Sequence, residues 1–314
     1  MRSNGQRSSP VVPLLCLVGA VLFWGTSFAA TKTALASMSP MAVIWLRMMV
    51  GSLAFTPFWR RIPKPDYRAG DWMLLALIGL LMPCLYYLFE GYAVLYTTSS
   101  QAGVISAIVP LLVAAGAWVF LRERLGVRSV VAIVVSLGGV TALSLGGAAQ
   151  AAAPNPVLGN VLEFLAMVCA AGSMLAVKHL STRYNPWLLT GMQAALGTAF
   201  FLPGARQLGS IGLGAIPPIA WASVVYLGLA VTLGAFGLYN TALSMMPSNR
   251  AALAINLVPA VAMGTGWLAL GETLTLVQLV ACALVVGAVV LGESGRENAD
   301  AVEPVAGIEA VEQA

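Results

Sequence analysis

The chain has 314 residues, 59% hydrophobic and 9% charged, with a formal net charge of +4 and a mean hydropathy of +0.88. That is too little charged surface to cover a soluble globule of this size, so the composition predicts an integral membrane protein. It also starves several chemistries: His179 is the only histidine, Cys16, Cys84, Cys169 and Cys282 sit in apolar runs without CxxC spacing, and neither a Walker-type phosphate loop nor a dinucleotide fingerprint is present.

Residues 1–10 read as a polar tail, and Val11 to Thr31 as a first apolar run long enough to cross roughly 30 Å of hydrocarbon as helix. Arg2 and Arg7 ahead of the run, and Ala34-Leu35-Ala36 after it, imitate a signal peptide. The run is long for that purpose and further spans follow at once, so an uncleaved helix 1 is expected. Helix 2 covers Pro40 to Phe58 and leads into RRIPKPDYR, the most basic stretch of the chain. Helix 3 is Gly70 to Ala93, helix 4 Ser99 to Leu121 and helix 5 Val127 to Leu145, which closes a first five-helix unit over 11–146.

A small, uncharged linker at 147–155 follows. A second unit over 156–292 then holds helix 6 (Pro156 to Leu180), helix 7 (Pro186 to Leu202), helix 8 (Pro218 to Met245), helix 9 (Asn249 to Leu270) and helix 10 (Leu274 to Leu291). Residues 293–314 read as a disordered acidic tail. The expected fold class is thus an all-α polytopic membrane protein with ten transmembrane helices. Lys and Arg crowd alternate connections, with Arg60, Arg61, Lys64, Arg68, Arg122, Arg124, Arg128, Lys178, Arg183 and Arg250 on one side and Lys32 and Arg206 on the other. The positive-inside rule then puts both termini in the cytoplasm.

Ala102 to Leu143 recurs 149 residues later as Ala251 to Gly292, with Pro110 on Pro259, Trp118 on Trp267, Glu123 on Glu272 and Gly138 on Gly287. Each copy is a helical hairpin with a carboxylate at its corner. Five helices per half place one corner inside and the other outside, so the halves form an inverted 5+5 repeat, the construction that lets one central site face either side of a membrane in turn. Ser27, Lys32 and Pro40 match Ser173, Lys178 and Pro186 at an offset of 146.

With FWGTSFAATKTAL in helix 1, PMAVIWLRMM in helix 2 and the two Pro-x12-Glu-x14-Gly hairpins, the chain resembles the EamA-like, ten-helix branch of the drug/metabolite transporter superfamily over nearly its full length. The resemblance implies a bacterial inner-membrane exporter of amino acids or other small metabolites. A drug or cationic-amphiphile exporter and a facilitative exchanger or importer are the alternatives. Glu90 and Glu163 stand in helices without His or metal-ligand company, so no enzyme activity and no cofactor are expected; the expected partners are a lipid bilayer and a small-molecule substrate, with no nucleic acid, and two complete halves in one chain make a monomer sufficient for transport with a dimer left open.

Within that frame Glu90, deep in helix 3, is the leading candidate for binding a substrate amine or a proton, since an unpaired charge there costs about 2.5–3.5 kcal/mol; a structural hydrogen bond and a place nearer the headgroups are the other readings. Glu163 in helix 6 is a vestibule or coupling residue, or a carboxylate favoured by the helix dipole. Arg47 in helix 2 reads as snorkelling or in a structural ion pair rather than as a substrate contact. Trp24, Ser27, Tyr86, Tyr239, Asn240 and Asn256 complete a cavity shortlist. Pro110 and Pro259 are hinge or gate candidates because proline removes helical amide bonds. Glu123 and Glu272 read as corner fixtures that cap the following helix or tie the corner to Arg124 or backbone amides. Coupling to a proton gradient through Glu90 is a further expectation.

Overall fold

A computed structural model describes residues 11–63, 65–122, 126–146, 153–180, 183–245 and 255–300. The described chain is almost wholly helical. In order it comprises α1 (Val11–Leu35), α2 (Pro40–Trp59), α3 (Asp71–Tyr96), α4 (Ser99–Ser106 and Val109–Leu121), α5 (Val127–Leu145), α6 (Pro156–Leu180) and α7 (Pro186–Phe200). Then come α8 (Pro218–Tyr226, Leu227–Ala235 and Phe236–Met245), α9 (Val258–Leu270) and α10 (Leu276–Asp300).

Among the described residues seven helices are long and apolar enough to cross a membrane, and an eighth span arises if α7 is joined to Pro203–Ile211 across a 59° bend. The shorter apolar helices Val258–Leu270 and Leu276–Leu291 stand where the sequence places the ninth and tenth spans. The protein is therefore a multi-pass membrane protein. Its outer surface agrees: Leu14, Leu15, Phe120, Val127, Trp267, Leu268 and Leu276 are all more than half exposed, as suits side chains that meet lipid.

Local sequence sets the helix starts. Ser39 caps α2 by accepting from Ala42 N, and Pro40 takes the first turn, where its missing N–H costs nothing. Asn155-Pro156 and Asn185-Pro186 repeat the device at α6 and α7, with the asparagine oxygens accepting from Leu158 N and Trp187 N. Before α10, Thr275 and Gln278 bond each other's backbone amides in a reciprocal capping box. α10 continues to Asp300, past residue 293, where the sequence reading begins a disordered tail.

The helices pair in a pattern that suggests a duplicated repeat. α1 packs on α8 and α9, as α6 packs on α3 and α4, while α2 pairs with α7 and α5 with α10. Exchanging the halves maps each pair onto another pair or onto itself. Both α3 and α8 contain a wide-turn segment, Leu80–Leu85 and Leu227–Ala235, at matching positions of the repeat. α4 is interrupted at Ala107 and Ile108, so Pro110 lies in the first turn of its second piece. Pro259 likewise opens α9 after the turn at Asn256 and Leu257. Both prolines thus sit at breaks in the helix.

Candidate functional site

The chemistry of the interior gathers where α2, α3 and α8 meet. Arg47 Nη1 lies 3.6 Å from Glu90 Oε2, and both side chains are buried. Arg47 also donates from Nε to Thr232 Oγ1 at 3.1 Å and from Nη2 to the Tyr87 hydroxyl at 3.4 Å, with its guanidinium 4.6 Å from the Tyr87 ring centroid. Tyr86 donates its hydroxyl to Glu90 Oε1 at 2.6 Å, and its ring meets that of Tyr87 edge-on at 4.8 Å. A carboxylate and a guanidinium are in this way held side by side with most of their hydrogen-bonding capacity used.

Small residues and the wide turn make this convergence possible. A Cβ on Gly228 would lie 2.6 Å from Val50 Cγ1 and 3.0 Å from the Arg47 carbonyl oxygen, so only glycine lets α8 come this close to α2. Gly91 gives α3 a similar but looser approach to α2, where an added Cβ would meet the end of the Ile44 side chain at 2.7 Å. Thr232 donates back to the Leu227 carbonyl five residues earlier, a spacing that belongs to the wide turn, and its oxygen is thereby aimed at Arg47. Beside these groups is a cavity of about 20 Å³, lined by Met48, Tyr87, Gln193, Thr232 and Phe236 among others. That is room for roughly one water molecule.

The sequence-predicted residues divide around this centre. Glu90 and Tyr86 are in it. Trp24 and Tyr239 form a neighbouring aromatic group with Phe236, at centroid distances of 5.4 Å between the first two and 5.5 Å from Trp24 to Phe236. Phe236 joins that group to the cavity wall. Ser27 is buried, but its hydroxyl is bonded to the Trp24 carbonyl of its own helix. Asn256 is buried in the turn before Pro259, while Asn240 is on α8 with its side chain outside the described residues. Glu163 is 0% exposed, well inside α6 and away from its first turn, which removes the dipole explanation. Thr232 was missed by sequence reasoning. The available signal was its place opposite Pro83 in the repeat, within the wide turn.

Glu272 does tie its corner to backbone amides, as one of the sequence readings expects, but to amides far away in the chain. It reaches across to the start of α4 and does not cap its own hairpin: its carboxylate accepts from the backbone amides of Ser99 (2.7 Å) and Ser100 (2.9 Å) and from both serine hydroxyls (3.0 and 2.7 Å). A carboxylate on four donors at a helix N-terminus is a strong anchor. Lys32 does the opposite job next to it, donating to the Val94, Leu95 and Thr97 carbonyls at the end of α3. Thr97, Gln101, Asn160 and Ser144 bond one another beneath, tying α3, α4, α5 and α6. Glu123, the repeat partner of Glu272, lies outside the described residues.

The other end of α3 is also fastened to the second half. Arg183, between α6 and α7, grips Asp71 with both guanidinium arms at 2.6 and 2.8 Å, and Tyr184 donates to the same carboxylate at 3.0 Å. This hydrogen-bonded carboxylate holds the Arg183 guanidinium above its ordinary pKa. Among the described residues no group of three His, Cys, Asp or Glu is arranged to hold a metal ion.

Comparison with known proteins agrees with a transport fold. The chain is 25% identical over 289 residues to the "Uncharacterized transporter YetK" of Bacillus subtilis, covering 91% of this chain and 88% of that protein. It is 29% identical over 275 residues to an "Uncharacterized transporter" of Archaeoglobus fulgidus, covering 83% and 91%. It is also 26% identical over 284 residues to a "Probable terminal-alkyne amino-acid exporter" of Streptantibioticus cattleyicolor, covering 88% and 91%. A solved crystal structure aligns over 90% of this chain and 96% of its own with a TM-score of 0.56 at 20% identity, a likeness of fold alone. The EamA-like transporter family profile matches twice, at 12–145 and 157–292, once in each half. The chain belongs to the EamA-like transporter family.

Proposed function

We propose that this protein is a secondary transporter that exports amino acids or related small metabolites by alternating access. The observation that carries the reading is the Arg47–Glu90 pair, buried at the meeting of three helices from both halves. An amino acid carries the same two charges in the complementary order. Its carboxylate suits Arg47 and its ammonium suits Glu90, so the protein pair stands in for the zwitterion when the site is closed. Trp24, Phe236 and Tyr87 supply apolar walls for the substrate's body.

An inverted arrangement of the halves is part of this reading. The corner of the second hairpin, at Glu272, touches the entry of the first, at Ser99, and two hairpins running the same way would meet entry to entry. Basic residues on alternate connections support cytoplasmic termini. Export is favoured by likeness to the exporter of Streptantibioticus cattleyicolor, and the breaks at Pro110 and Pro259 are suited to bending. A second reading, export of organic cations, is favoured by the aromatic groups on both sides of the cavity, which suit a quaternary amine.

The test is counterflow in proteoliposomes of both orientations, with a panel of neutral amino acids set against cationic dyes. Saturable exchange of an amino acid, abolished by Arg47→Met and by Glu90→Gln, is expected. Exchange of dyes alone, insensitive to Arg47→Met, sinks the amino-acid reading.

A further inference from the structure

Two carboxyl groups share the buried centre with one guanidinium. Glu90 takes Arg47 and the Tyr86 hydroxyl. Glu163, on α6, is completely buried, and neither of its oxygens has a hydrogen-bond partner among the described residues. Its own helix surrounds it with Phe164, Ala166 and Met167, part of the apolar cluster that also holds Val104, Ile108 and Leu111 of α4. From α3, the ionisable groups that act on it electrostatically are Glu90 and Tyr86. Described α4 carries no ionisable side chain, and Arg128 of α5 stands at the far end of that helix from Asn160, one turn before Glu163.

An ionised carboxylate in such a place loses its hydration and gains no cation and no donor, a penalty of several kcal/mol. The single positive charge nearby is already balanced by Glu90. A neutral carboxylic acid is the form that fits. The closed arrangement therefore admits Glu163 with a proton and rejects it without one, while opening to water removes the penalty.

We propose that Glu163 must take up a proton for the centre to close, and releases it when the centre opens to water. This rests on the transport reading above, and of the two carboxylates that the sequence offers for coupling it gives the proton requirement of closure to Glu163. Glu90 has a cation and a donor, Arg47 and the Tyr86 hydroxyl, to offset the cost of its charge, and Glu163 has neither among the described residues. The loaded and the empty passage through the closed arrangement both carry this proton, so it sets the pH dependence of closure and adds no net proton flux.

Infrared difference spectroscopy of the full-length protein in lipid near neutral pH tests the assignment without a substrate. A deuterium-sensitive carbonyl stretch of a protonated carboxyl is expected in the wild type, lost in Glu163→Gln and kept in Glu90→Gln. Its absence from the wild type, or its survival in Glu163→Gln, overturns the proposal. Wild-type pH titration of the same band decides the matter if a variant fails to fold, judged by its gel-filtration profile. In proteoliposomes, wild-type counterflow is expected to slow at least tenfold as the pH on both sides is raised, and Glu163→Gln, neutral at every pH, is expected to lose that dependence; an unchanged dependence in Glu163→Gln also overturns the proposal. Failure of wild-type counterflow with every amino acid would instead count against the transport reading, leaving the carboxyl band to decide the proton assignment by itself.

Discussion

Arg47 Nη1 and Glu90 Oε2 lie 3.6 Å apart in the interior, on helices joined by a long basic connection, with side chains 7% and 8% exposed. A pair so buried adds little net stability, because desolvation offsets attraction, yet losing one member strands the other as an uncompensated charge. The pair is best understood as a site under constraint. Four measurements follow from it and from the ties at the start of α3 and the start of α4.

Arg47→Met is expected to destabilise the protein by about 3–5 kcal/mol, since it strands the buried Glu90 carboxyl without its cation, leaving the Tyr86 hydroxyl as its partner. Combining it with Glu90→Gln should recover most of that loss. Denaturant unfolding in detergent micelles reads the cycle, and purely additive losses would show that the two side chains do not act as a pair.

Thr232→Val keeps the shape of the wide turn while removing the oxygen that accepts from Arg47 Nε. A hydrogen bond to a charged group is worth about 1.5–3 kcal/mol, so the half-saturation constant for counterflow should rise by roughly tenfold or more. The maximal rate should change less. A fall in maximal rate alone would place Thr232 in the conformational step.

Glu272→Gln removes the charge that four donors at the start of α4 share. Hydrogen exchange followed by mass spectrometry should become about tenfold faster over Ser99–Ser106, in line with the loss of roughly 1–3 kcal/mol at a buried anchor. Exchange in the Asp71 region should stay as it is.

Asp71→Asn is the complementary change. It breaks the two-armed contact with Arg183 and weakens the acceptor for Tyr184. Faster exchange is expected at the start of α3 and in the connection at 183–189, with Ser99–Ser106 unaffected. If either variant loosens both ends equally, the two ties are not independent closures.

Much of this architecture was legible in the chain because hydrophobic length and local caps are short-range properties. Ser39-Pro40, Asn155-Pro156 and Asn185-Pro186 announce helix starts wherever they occur, and the duplicated hairpin is visible by alignment of the chain with itself. Glu90 and Arg47 stood out one at a time, since a charge in an apolar run is conspicuous. That they face each other was not legible, because pairing across helices depends on rotation and on the close approaches at Gly91 and Gly228.

The sequence by itself determined the medium, the helical class and the repeat, since each follows from composition and periodicity along one dimension. Only the tertiary structure decided what the carboxylates do. Glu272, read as a corner fixture, became a tie between halves because its partners lie at Ser99 and Ser100, far away in the chain. Glu90 gained a cation and Glu163 gained none, and that difference, which sets the cost of charge, exists only once α2, α3, α6 and α8 are packed together.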